Sequence, residues 1–69
     1  MPFVNIRITP GATDDQKAEL IAGATDLLVK VLNKNPATTF VIIDEVETEN
    51  WGIGGESVAE RNRKAAAGS

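Results

Sequence analysis

The sequence predicts an α/β (α+β) fold: a single βαβ unit with parallel strands, followed by a C-terminal turn or hairpin. Three observations carry that expectation. Apolar and polar residues alternate along "PFVNIRIT", residues 2–9, as in a half-buried strand. Residues 14–32 change to a helical period, and an apolar run returns within "TTFVIIDEV", residues 38–46. Strand, helix and strand in that order form a crossover, which is right-handed and makes the strands parallel. No internal repeat is present, so the chain 1–69 reads as one domain.

Val4, Ile6 and Ile8 line one face of the first strand, and Phe3, Asn5, Arg7 and Thr9 line the other. Pro10 and Gly11 end it with turn chemistry. Thr13 is the expected N-cap, Gln16 completes a capping box, and Asp14 and Asp15 put negative charge in the first helical turn. Leu20, Ile21, Ala24, Leu27, Leu28, Val31 and Leu32 form a continuous helical stripe. Lys17, Glu19, Asp26 and Lys30 are expected mostly on the solvated side. Pro36 disfavours helical geometry at Asn35 and closes the helix. In the second strand Phe40, Val41, Ile42 and Ile43 follow one another without a polar residue, so both faces are expected to be covered. "ETEN" then makes a polar turn and "WGIGG" a turn or hairpin. The polar remainder reads as a helical turn running into a flexible tail at about 64–69.

Composition narrows the chemistry. The 69 residues contain no Cys and no His, which removes thiolate nucleophiles, imidazole bases and the usual zinc ligands. No cofactor is expected. A net charge of -3 argues against nucleic acid as a partner. No apolar run approaches the roughly 18 residues of a membrane span, and no basic and apolar leader opens the chain. A cytoplasmic protein without a membrane partner is the expectation. A chain this short buries only about 60% of its unfolded surface. With 42% hydrophobic residues and neither disulfide nor metal, oligomerisation is expected to complete the sheet and core.

Two stretches bear on function. "ENWGIGGES", residues 49–57, places Gly52, Gly54 and Gly55 directly behind the single tryptophan, Trp51. As a phosphate loop it matches neither the dinucleotide nor the Walker pattern, no long helical pattern follows it, and Glu49 and Glu56 would repel phosphate. A hairpin with Trp51 and Ile53 packed on a neighbouring subunit is the plainer reading. The other stretch is "MPF" at the start. Removal of Met1, common ahead of a small second residue, would free the secondary amine of Pro2. An α-amino group titrates near about 7.7–8.0 and apolar burial lowers it, which suits a base working near neutral pH.

In combination these stretches are specific. Pro2 heading an alternating strand, "DDQKAELI" opening the helix, "NP" before the second strand and "NWGIGGE" after it resemble the 4-oxalocrotonate tautomerase family. The resemblance runs from Pro2 to about Arg63. It implies βαβ protomers assembled from dimers into homohexamers, and an isomerase that moves a proton between keto and enol forms of 2-oxo acids. By that resemblance Pro2 is general base and then acid. Trp51 is the pocket aromatic that keeps water away and lowers the proline pKa. The implied partner is a small-molecule 2-oxo acid or its enol, of the 2-hydroxymuconate or arylpyruvate type.

The chain also departs from the family. The arginine that follows the glycine after strand one is Ala12 here, and the second arginine, early in strand two, is Phe40, or Val41 with the gap moved. Neither alanine nor phenylalanine can grip a carboxylate in a bidentate manner, which disfavours a dicarboxylate substrate. Arg7 is a candidate substrate-binding residue among the remaining cations. It lies on the face opposite Pro2 and roughly 16 Å along the strand, so a sheet-edge salt bridge and a neighbouring subunit's pocket are both open to it. Arg61 and Arg63 fall in the solvated tail, and Lys34 follows the helix. Phe3, Phe40 and Trp51 fall around the proline by the family pattern. An apolar mouth suits an aryl or alkyl enol with one carboxylate, while packing between subunits accounts for the same residues without function. Asp44 and Glu45 alternate across the strand and form no acid pair. Two functions therefore stand side by side: a Pro2-dependent keto–enol tautomerase, and a non-catalytic oligomer of the same fold.

Overall fold

The computed structural model describes residues 2–67. Strand β1 spans Phe3–Ile8 and strand β2 Phe40–Glu45, joined by helix α1 over Asp14–Leu32. The strands pair in parallel, with Phe3 opposite Phe40, Asn5 opposite Ile42 and Arg7 opposite Asp44. The ladder extends beyond both ends. The Phe40 N–H donates to the Pro2 carbonyl at 3.0 Å, and the Val46 N–H donates to the Ile8 carbonyl at 2.8 Å.

Helix α1 begins where its capping chemistry dictates. Thr13 Oγ1 accepts from the Gln16 N–H at 3.1 Å, and Gln16 Oε1 accepts from the Thr13 N–H at 2.9 Å. This reciprocal box satisfies two donors that the first turn would otherwise leave bare. Asn33, in the left-handed region at φ 54, ends the helix. A 3-10 turn over Pro36–Thr38 then leads into β2, with Asn35 Oδ1 accepting from the Ala37 N–H at 2.9 Å. That turn takes Thr38 out of the strand, so β2 is shorter than the predicted 38–46.

Beyond β2 a 3-10 turn over Thr48–Asn50 precedes two short antiparallel strands, β3 (Gly52–Ile53) and β4 (Glu56–Ser57). Helix α2 follows over Val58–Ala67. The sequence suggested one helical turn and then a tail from about residue 64, whereas residues 58–67 are all helical. Ser57 Oγ accepts from the Glu60 N–H at 3.1 Å in the manner of an N-cap, Arg63 pairs with Glu60, and Lys64 pairs with Glu56. Residues 68 and 69 of the expected tail lie outside the described residues.

Among the described residues none is fully buried. Val4, Ile6, Ile8, Val41 and Ile43 face α1 and are half-buried. The helical stripe is wider than the surface that receives it. Ala24 and Leu28 are half-buried, but Leu27 and Val31 remain 59% and 67% exposed. Two strands at a spacing of about 4.8 Å are too narrow to cover both flanks of the stripe. Within one chain β2 is covered on one face only, contrary to expectation. On the open face Phe3 and Phe40 are 61% and 50% exposed. The radius of gyration, 16.1 Å, compares with about 11 Å for a compact domain of this length.

Lys17 departs from its expected solvated position. It is half-buried, and its Nζ reaches the carboxylate of Glu45 at the end of β2. The hydrogen bond from Glu45 raises the Lys17 pKa above its ordinary 10.5; desolvation opposes the rise, and the charges of Glu45 and Asp14 add to it. A raised folded-state pKa contributes stability that is complete below the unfolded value and is lost as pH climbs through the folded one. The difference in thermal midpoint between wild type and Glu45→Gln should be flat across neutral pH and should close as pH rises above 10.5.

Candidate functional site

Strand alternation turns Phe3, Asn5 and Arg7 to the open face of the β1 and β2 sheet, where Phe40, Ile42 and Asp44 stand beside them in register. Two groups of side chains result, one at each end of the strands. At the start of β1 the half-buried Pro2 is tied to β2 through its carbonyl, and Phe3 and Phe40 form an in-register apolar pair next to it. Val41, the other candidate for the missing arginine's place, turns to the α1 side.

The other end is polar. Asn5 Nδ2 donates to Asp44 Oδ2 at 2.8 Å, and Arg7 Nε donates to Asn5 Oδ1 at 3.1 Å. Arg7 Nε lies 3.8 Å from Asp44 Oδ2, with the Arg7 side chain 70% exposed. The salt bridge expected for Arg7 is therefore present, and an ion pair this open to water adds little to stability. Arg7 also lines a hollow of about 310 Å³ together with Val46, Asn50, Trp51 and Gly52.

Trp51 is fixed there by its backbone. Its N–H donates to the Thr48 carbonyl at 3.4 Å, and its carbonyl accepts from the Val58 N–H at 2.7 Å. The chain returns to make that second bond because it reverses at Gly54 and Gly55, with φ of 61 and 90. Two consecutive positive φ values are the signature of a tight type I′ hairpin turn, which residues with a Cβ adopt at a cost. The glycines of "WGIGGES" are thus hairpin chemistry, and their product is a positioned tryptophan.

One chain brings Phe40 to Pro2 and Trp51 to Arg7. It leaves the two pairs at opposite ends of β1, roughly 16 Å apart along the strand. Sequence reasoning weighed Asp44 only against Glu45, which does turn away, to Lys17. It passed over Asn5 and Asn50. The available signal was parity: Asn5 and Arg7 share a strand face, and Asp44 shares one with Phe40 and Ile42. Ala12, just ahead of the Thr13 cap, offers no side-chain donor. Arg63 is solvated as expected, its side chain 69% exposed, and it pairs with Glu60 at the surface. No described helix is long and apolar enough to cross a membrane.

Comparison with known proteins agrees with the fold. Residues 2–61 match the family model described as tautomerase enzyme. A probable tautomerase of Dickeya dadantii is 72% identical over 67 residues, covering 96% of this chain and 100% of the relative. The crystal structure of DmpI from Helicobacter pylori is 55% identical and superposes with a TM-score of 0.85, over 91% of this chain and 98% of that one. A heterohexameric 4-oxalocrotonate tautomerase from Chloroflexus aurantiacus is 32% identical and superposes with a TM-score of 0.81, over 87% and 97% of the two chains.

If the hairpin is what places Trp51, Gly55→Ala should cost about 1–2 kcal/mol, the penalty of a left-handed conformation for an L-residue. Chemical denaturation would register the loss, and the Trp51 fluorescence maximum should shift as the indole loses its seat.

Proposed function

The chain belongs to the tautomerase family, and from that premise we propose that it is a keto–enol tautomerase of 2-oxo acids whose Pro2 nitrogen carries the proton. With Met1 removed this nitrogen is a secondary amine with a free lone pair. With Met1 in place it is an amide nitrogen and takes no proton. The amine accepts the proton of the enol hydroxyl, and the electrons of that O–H bond become the carbonyl π bond. As that π bond forms, the electrons of the C=C bond leave the same carbon and take a proton from the prolinium, forming a C–H bond at the neighbouring carbon. One proton moves, and neither oxidant nor reductant is needed. A base of this kind is effective because an α-amino group titrates close to working pH, near about 7.7–8.0.

The apolar pair Phe3 and Phe40 beside Pro2 carries the choice of substrate. Phe40 stands where the family prototype has an arginine, so an aryl or alkyl body is accommodated there in place of a second carboxylate. The preferred substrate is accordingly a monocarboxylate such as an arylpyruvate enol, with Trp51 as an aromatic wall that keeps water out. The working form is a homo-oligomer, a hexamer by analogy with the Chloroflexus enzyme. The exposed Phe3, Phe40, Leu27 and Val31 supply the apolar surface for it. The loss of both arginines favours one other reading, an oligomer of this fold without activity.

Ketonisation of an aryl enolpyruvate, followed by ultraviolet absorbance on protein whose intact mass lacks Met1, separates the two. The expected outcome is a rate well above buffer that falls about 100-fold or more in Pro2→Ala or with Met1 retained. An unchanged rate in either form contradicts the proline mechanism. No rate from a folded, processed oligomer transfers the case to the non-catalytic reading.

A further inference from the structure

Resting on that reading, one requirement is unmet: Ala12 and Phe40 leave the substrate's carboxylate without a cation. We propose that Arg7 supplies it across a subunit boundary, so that the Arg7 and Trp51 hollow of one subunit holds the carboxylate of a substrate worked by Pro2 of a second copy.

The first argument is availability. Lys17 pairs with Glu45, Arg63 with Glu60 and Lys64 with Glu56, and neither these three nor Lys30, Lys34 or Arg61 lines the hollow. Arg7 is the cation among the residues that line the hollow. Its Nε is the atom engaged by Asn5, and Asn5 is held in turn by Asp44. The two Nη groups make no hydrogen bond among the described residues. They are the parallel donors that match a carboxylate in a bidentate grip. Asn5 therefore orients the guanidinium without occupying it. Asp44, at 3.8 Å and in open solvent, neutralises it only weakly.

The second argument is reach. Arg7 and its own Pro2 are separated by roughly 16 Å of strand, more than one arginine side chain spans. A second copy removes the gap. The sheet has only two strands, so the outer edge of β1 presents unpaired N–H and C=O groups. Because α1 packs chiefly on β2, β1 is the less covered edge. Two such edges joined about a two-fold axis run antiparallel, and residues directly opposite share a face. The axis must then fall on a residue near the middle of the strand. On Asn5, Phe3 of one copy stands opposite Arg7 of the other. On Ile6, Arg7 stands opposite Asn5 and diagonal to Phe3. Either register cuts the separation along the strand between Pro2 and the neighbouring copy's Arg7 to between one and three residues, roughly 3–10 Å, with the Pro2 ring itself turned to the α1 side. A hollow of about 310 Å³ is at the lower end of small-ligand sites, which fits the acid end of a substrate whose aryl body lies on Phe3 and Phe40.

Subunit mixing tests both halves. Pro2→Ala and Arg7→Ala are each expected to lose most activity toward an aryl enolpyruvate, the Arg7 variant through a KM raised about tenfold or more, with Arg7→Lys recovering part. Unfolded together and refolded, the two variants should regain about a quarter of wild-type activity, since random pairing leaves that share of boundaries with one intact Pro2 facing one intact Arg7. A mixture that stays inactive while both variants form oligomers of wild-type mass overturns the crossing of the boundary. An unchanged KM in Arg7→Ala overturns the carboxylate role, while loss of activity in Pro2→Ala would still uphold the tautomerase reading. Quenching of the Trp51 fluorescence by 3-phenylpropanoate decides the role of Arg7 without turnover. Wild type should saturate, Arg7→Ala should bind at least about tenfold more weakly, and equal binding would overturn the assignment even if the protein ketonises nothing.

Discussion

The β1 and β2 sheet is two strands wide among the described residues, about 10 Å at normal spacing, and helix α1 lies across one of its faces. Nearly everything else follows from that width. It is too small to receive the whole apolar stripe of α1, so Leu27 and Val31 stay in water, and it leaves Phe3 and Phe40 open on the other side. At about 25 cal/mol per Å² such surface is a standing cost to a single chain. The same surface is the material from which an assembly gains. On the proposed reading assembly and active site are one problem, because the open face that needs covering also carries Pro2's apolar neighbours and Arg7.

Alternation along the strands divides the work. Even positions of β1 face α1 and hold the chain together; odd positions carry Phe3, Asn5 and Arg7 to the open face. β2 repeats the division at its end, where Asp44 joins Asn5 and Arg7 while Glu45 takes Lys17. Neighbouring carboxylates thus serve different faces and never meet. The hairpin does for Trp51 what alternation does for Arg7. Two glycines with positive φ fold the chain back so that Val58 can anchor the tryptophan's carbonyl.

Much of this was legible in the sequence wherever the determinant was local. The capping box at Thr13 and Gln16 fixed the start of α1, and the period of 3.6 fixed its extent, 14–32. "GIGG" announced a hairpin, and parity assigned each strand residue its face. The family resemblance at Pro2 and "NWGIGGE" was legible too. What escaped depended on pairing between distant segments. Lys17 meets Glu45, and Arg7 meets Asp44, only once the parallel register is set, and nothing near either residue specifies that register. The length of α2 escaped for a related reason. The Ser57 cap and the partners Glu60 and Glu56 of Arg63 and Lys64 come together only once the β3–β4 hairpin has delivered the chain to residue 58, in a segment whose small and charged residues resemble a tail.

If the site exists only where two subunits meet, its activity must follow the assembly. The direct measurement is the ketonisation rate per subunit during dilution, taken alongside particle mass by light scattering on the same samples. The account predicts that both fall together, with no activity in the monomer. A monomer that stays folded and keeps the full rate per subunit would contradict it.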